Sequence, residues 1–250
     1  MKAVKSKLPL PTTVNSQSCD SQQSQLQATN SMHSGNKTDS VLGSTSNKFS
    51  VNADDSIEIL ECTVKTTVLT FYPPSESDVY SIAQKLSVGM PSNASIADSA
   101  PCTFSLKTVP RYKGKSKADG ACGFRSICQC LFGPNTDIDP VLHLSLRKFI
   151  CNFLETFAFS IEPLPLWVRS HQPVHIKLID HINNMRLCHT WMTDLELKAS
   201  SIALNINIFV FDKRYRTWTP YTPSTSYQHE KHPTCMVAYD GQHFDPIFGI

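Results

Sequence analysis

Apolar residues are spaced very differently in three stretches of this 250-residue chain. Residues 1 to about 55 show no apolar period and no aromatic before Phe49, and Ser, Gln, Asn and Thr dominate, as in Ser21-Gln22-Gln23-Ser24-Gln25. Such a segment buries too little surface to offset chain entropy, so it reads as a disordered tail. Between Ile57 and Tyr72, β-branched and polar residues alternate (Val64, Thr66, Val68, Thr70), which predicts one or two strands. Pro73-Pro74 stops that run. Ser75 and Asp78 then open a short helix through Leu86, with Val79, Ile82, Ala83 and Leu86 on one face. Residues 88–102 read as a linker, so 56–103 forms an accessory strand–helix segment.

From 104 to 250 the periodicity is that of a compact domain. Phe124, Ile127, Cys128 and Leu131 recur at helical spacing from a start near Cys122, and Gly133-Pro134 ends the run. A second helix over about 140–157 carries Leu142, Leu146, Phe149, Ile150, Phe153 and Phe157 as one stripe. Thr193 and Glu196 have the spacing of a capping box and open a third helix to about Leu204, beneath which Trp191 is expected to pack in the core. Ile206–Phe211 is almost wholly apolar, the mark of a central strand covered on both faces. Arg216–Thr219 and Thr234–Tyr239 predict two more strands, and 160–190 reads as loop-rich. Helices first and strands last give an α+β fold, a small central β-sheet flanked by helices.

Composition narrows the function classes. The formal net charge of +2 suits neither a dedicated nucleic-acid binder nor an acid-seeking protein. No run approaches the roughly 18 apolar residues of a membrane span, so no membrane association is expected. The basic start Met1–Lys7 lacks an apolar follow-on, so no secretory signal is expected and the sequons at Asn36 and Asn93 carry no weight. Nine cysteines, an odd number, then imply free thiols in a reducing compartment, the cytoplasm first and the nucleus second. His171, His175, His181, His189, His229 and His232 show no zinc spacing, and no metal or other cofactor is called for. The basic run Lys107, Arg111, Lys113, Lys115, Lys117 has only Tyr112 as aromatic company and reads as a solvated loop.

Among the cysteines, Cys122 is set apart by its neighbours. It lies where a glycine-bearing turn, Asp119-Gly120-Ala121, meets a helix start, and unpaired N–H groups and the helix dipole there favour a thiolate. Backbone N–H groups of Gly120, Ala121 and Cys122 are candidate donors to an oxyanion, and Asp119 can cap the helix or hold the loop. His243 follows the Asp240-Gly241 turn at the end of a strand, as a candidate general base. Asp245, two residues on, shares its face in extended chain and can orient the imidazole.

These segments resemble one family. Asp119-Gly120-Ala121-Cys122-Gly123-Phe124-Arg125-Ser126-Ile127 is similar to the nucleophile segment Asp-Gly-x-Cys-x-Phe-Arg-x-Ile of the OTU (ovarian tumour) cysteine proteases. Trp191 to Ala199 resembles that family's Trp-x-x-x-x-Glu-Leu-x-Ala helix, and His243-Phe244-Asp245 resembles its terminal His-aromatic-Asp/Asn. The resemblance covers 104–250 and implies an OTU-like fold and a thiol-dependent deubiquitinase. It implies Cys122 as nucleophile, His243 as base and Asp245 as orienter, with Asp119 as a second candidate for that last role. Ubiquitin or polyubiquitin, or a ubiquitin-like modifier, is the implied partner, and the protein is expected to be monomeric. Two alternatives stand beside it: a catalytically weak ubiquitin-binding module, and a mobile-element protein that associates with nucleic acid through 107–117. Ala121 and Gly123 depart from the Asn or Ser and the Leu common at those positions.

Overall fold

The computed structural model describes residues 68–92, 94, 100–224 and 231–250, all within one compact unit, Val64–Ile250. The expected tail 1–55, any strand over 57–67, both sequons and His229 lie outside the described residues. In chain order the elements are β1 (Val68–Phe71), α1 (Glu76–Lys85), β2 (Cys102–Ser105), β3 (Tyr112–Lys113), α2 (Cys122–Phe132), a 3-10 turn (Pro134–Ile138) and α3 (Pro140–Ala158). They continue with α4 (Leu166–His171), α5 (Leu178–Met185), α6 (Asp194–Leu204), β4 (Asn207–Asp212), β5 (Thr217–Tyr221), β6 (Thr234–Tyr239) and β7 (Phe244–Gly249). This is the α+β arrangement expected.

The main sheet has the order β3-β7-β6-β4-β5, with β4 and β6 parallel and every other pair antiparallel. Both faces are covered, which is why Ile206–Phe211 carries so little polar alternation. Ile208 and Val210 of β4, with Cys235 and Val237 of β6, face the helices and join Phe124, Ile127, Leu146 and Leu195 in the larger core. Phe209, Phe211, Met236 and Ala238 point the other way. They meet Leu69 and Phe104 from β1 and β2, which pair as an antiparallel hairpin. The accessory segment is therefore bonded to the domain. Thr234 N–H donates to the Tyr72 carbonyl at 2.8 Å, and Tyr72 N–H donates to Thr234 Oγ1 at 3.2 Å. The boundary drawn between 103 and 104 passes through the middle of β2.

Two capping signals read from the sequence act as expected, and a further cap closes α3. Ser75 and Asp78 close a capping box on α1, and Thr193 and Glu196 close one on α6. Asp139 caps α3 through Val141 N–H, with Pro140 in its first turn. Lys85 reaches the last carbonyls of α6, Ala203 and Leu204, at 3.3 Å each. Two differences have local causes. The stretch 160–190 holds α4 and α5, helices too short to show a sustained period, although their apolar residues Val168, Ile182 and Met185 are fully buried. Trp191 is not in the core: it is 47% exposed, because it precedes the Thr193 cap in non-helical chain and Met192 takes the inward position.

Candidate active site

Cys122 is the first residue of α2 and is buried. The turn before it depends on Gly120, whose φ is +82° and where a Cβ would fall 1.9 Å from the His189 carbonyl oxygen. Gly123 is equally constrained. Its Cβ would stand 2.9 Å from that of Met192, so the missing side chain is what lets Met192 close against the start of α2. The thiol itself is held above its ordinary range. Burial raises it and the Asp119 charge adds to this, against backbone N–H groups of Phe244, Gly123 and Cys122 that favour the thiolate. The depression expected from the helix start is thus present as a cause but outweighed by desolvation, so the sulfur needs a base.

His243 sits on the turn between β6 and β7. Asp240 organises that turn by accepting from Gln242 N–H at 3.0 Å and His243 N–H at 2.8 Å. Burial works to raise the Asp240 carboxyl, but these two N–H groups and Lys213 hold it below the usual range. His243 Nε2 lies 3.1 Å from Asp245 Oδ1, across one residue of extended chain. Its Nδ1 is buried and has no hydrogen-bond partner among the described residues. Phe244, between the two, lowers the thiol through its backbone, and its carbonyl accepts from Ser126 Oγ of α2 at 3.1 Å. β7 was not apparent in the sequence, yet it is the strand that brings His243 and Asp245 to α2.

Asp119 is turned to other work. Arg125 approaches its Oδ2 at 2.9 Å and Ala121 N–H donates to its Oδ1 at 3.1 Å. Burial works against ionisation, yet the Arg125 hydrogen bond, the Ala121 N–H and the charges of Arg125 and Lys117 leave the carboxyl below its ordinary value. The carboxylate on the imidazole is therefore Asp245. The same bond removes one member of the expected oxyanion set: Ala121 N–H is committed to Asp119, which leaves the N–H groups of Gly120 and Cys122, with the Gly120 carbonyl held by Arg147 at 3.4 Å.

Sequence reasoning missed three supports. Ser116 Oγ donates to the Cys122 carbonyl and its N–H to Asp245 Oδ1, both at 3.3 Å, so one residue of the basic run touches both halves of the site. Lys213 Nζ lies 3.2 Å from Asp245 Oδ2 and 3.5 Å from Asp240 Oδ2. Arg147, fully buried on α3, donates to the carbonyls of Met185, Cys188, Thr190 and Gly120 and lies 4.3 Å over the Phe124 ring. None belongs to a local motif that would mark it in the sequence.

A cleft of about 640 Å³ adjoins the site, lined by Trp191, Met192, Tyr215, Tyr221, Tyr239 and Phe244 among others. Met192 packs against Gly123, the residue after Cys122, and Phe244 is bonded to Ser126 of the same helix. Among the described residues no cluster of three or more His, Cys, Asp or Glu is arranged to hold a metal ion, and no helix is long and apolar enough to cross a membrane.

A family model described as OTU-like cysteine protease matches residues 117–244, just over half of the chain. The chain belongs to that family. No curated protein matches it. Among solved structures it is similar to the OTU domain of OTUD1, at 19% identity and TM-score 0.40, over 55% of this chain and 85% of that one. It is also similar to the Hazara virus OTU bound to ubiquitin (16%, TM-score 0.42, 56% and 81%). A third is an OTU deubiquitinase from Wolbachia pipientis wMel bound to ubiquitin (15%, TM-score 0.38, 55% and 95%).

Proposed function

We propose that this chain is a cysteine-dependent deubiquitinase acting in the cytoplasm. The observation that carries the reading is the pairing of His243 Nε2 with Asp245 Oδ1, its Nδ1 buried and unpartnered among the described residues, beside Phe244, whose carbonyl is bonded to Ser126 of α2, the helix that Cys122 begins. In this mechanism His243 removes the proton from Cys122 Sγ, and the thiolate adds to the carbonyl after the C-terminal glycine of ubiquitin. The N–H groups of Cys122 and Gly120 are the oxyanion donors left of the expected set. His243 then protonates the departing lysine amine and afterwards activates water to release the thioester as acid. The cleft lined in part by Met192 and Phe244 supplies the approach for an extended C-terminal tail.

Incubation with ubiquitin carrying a C-terminal electrophile tests this. A covalent adduct is expected on the wild type, absent from Cys122→Ala and strongly slowed in His243→Ala. A folded wild type that binds ubiquitin but never forms the adduct would overturn the enzyme reading in favour of a binding module.

A further inference from the structure

We propose that Lys213 is a positioning residue for the His243–Asp245 pair, fixing the carboxylate from the side opposite the imidazole. This rests on the roles given above to Cys122 and His243. Asp245 divides its two oxygens. Oδ1 takes His243 Nε2 and the N–H of Ser116, and Oδ2 takes Lys213 Nζ at 3.2 Å. Lys213 also reaches Asp240, the residue whose Oδ1 holds the backbone of Gln242 and His243. One ammonium thus ties the carboxylate on the imidazole to the turn that carries the imidazole.

The lysine is itself held. It follows β4 directly, and its N–H donates to the Tyr239 carbonyl at 2.8 Å, the last residue of β6. The turn after β4 is fixed by Asp212, which accepts from the N–H groups of Arg214 and Tyr215 and pairs with the Arg214 guanidinium at 2.7 Å. The ammonium is therefore delivered from the sheet and not from a loose loop. Without it, Asp245 Oδ2 loses its charged partner and the carboxylate gains freedom to rotate away from His243.

Charge adds a second consequence. The charged groups at the imidazole and its turn are Asp245 and Asp240, with Lys213 from the turn after β4 bridging them, while Arg214 of the same turn pairs with Asp212 and lies over the Tyr239 ring. Beyond the thiol lies Asp119, already paired with Arg125 and Lys117. Removing Lys213 takes one positive charge from beside two carboxylates, and the pH dependence of Cys122 reactivity moves upward with it.

The test compares wild type, Lys213→Met and Lys213→Arg by two readouts. The first is the pH profile of Cys122 alkylation by iodoacetamide, followed by mass spectrometry of its peptide; this needs no assumption about substrate. The second is hydrolysis of a fluorogenic ubiquitin amide. For Lys213→Met the acid limb of the alkylation profile moves up by about half a pH unit. Its kcat falls roughly fivefold to tenfold at unchanged KM. Lys213→Arg restores both. A Lys213→Met profile and kcat equal to wild type would refute the positioning role, as would an Arg variant no better than Met. If ubiquitin is not cut by the wild type but the alkylation limb still moves, Lys213 keeps its role and the substrate assignment alone fails.

Discussion

The site is built on contacts that tolerate no extra atom. Gly120 lies in the left-handed region, and its absent Cβ makes room for the His189 carbonyl. Gly120→Ala therefore combines about 1–2 kcal/mol of backbone strain with a clash against backbone that cannot swing aside. The expected outcome is a destabilisation of at least about 3 kcal/mol, read from the urea midpoint, together with loss of adduct formation by Cys122. Wild-type stability would show that the turn is not what shapes the thiol's surroundings. Gly123 carries the same lesson in another form. Its position has the look of a weak helix start, but the contact with Met192 gives the small residue a packing reason that no propensity scale contains.

At the scale of the element, α3 combines an apolar stripe with buried polar groups. Leu142, Leu146 and Ile150 are buried, as the spacing predicts, and Leu154 joins them, while Phe149, Phe153 and Phe157 stay partly exposed and the last two pack with Trp167. His143 and Arg147, one turn apart, are buried beside them. Burial, helped by the charge of Arg125, pushes the His143 imidazole down to about 4. In the unfolded chain a histidine titrates near about 6.5, so between these values the unfolded state takes up a proton that the folded state refuses. Its contribution is whole above about 6.5 and drains as pH falls toward 4, by up to about 3 kcal/mol. Denaturant midpoints at pH 7 and pH 5 should show wild type losing about 2 kcal/mol more than His143→Gln. Equal losses would mean that His143 protonates freely in the fold. Periodicity could place α3 and its caps, and the glycine turn could single out Cys122. It could not show which polar residues turn inward, because a polar residue turned inward and one turned out to solvent read alike in sequence. β7 was hidden for a related reason, since Phe244-Asp245-Pro246 alternates too briefly and contains a proline. Trp191 was misplaced because a large aromatic beside a capping box suggests core, whereas here Met192 fills that place and Trp191 lines the cleft.

For the whole molecule, the question is where the folding unit begins. Composition puts a compact domain at 104–250 and leaves 56–103 as an accessory. The structure joins them through two separate cores. Leu69 and Phe104 cover Phe209, Phe211 and Trp218 on one face of the sheet, with Phe104 and Trp218 ring centroids 5.0 Å apart. Val79, Ile82 and Leu86 of α1 enter the helical core on the other. Each of those five side chains contributes roughly 2 kcal/mol by burial, so together they amount to about 10 kcal/mol, comparable with the whole net stability of an ordinary domain. A chain of residues 64–250 keeps all of them and is expected to unfold cooperatively in urea. A chain of residues 106–250 keeps every proposed catalytic group yet exposes the aromatic face of β4 and β5, and is expected to aggregate or to lose its cooperative transition. Should 106–250 unfold at the same urea midpoint as 64–250, the hairpin and α1 would be mere additions to a self-sufficient core. The coupling also bears on activity: β4 and β6, which the hairpin covers, lead directly into the turns that hold Lys213 and His243. Loosening that face should therefore lower Cys122 labelling before the helical core unfolds, so adduct formation falls at lower urea than the circular-dichroism signal of the helices.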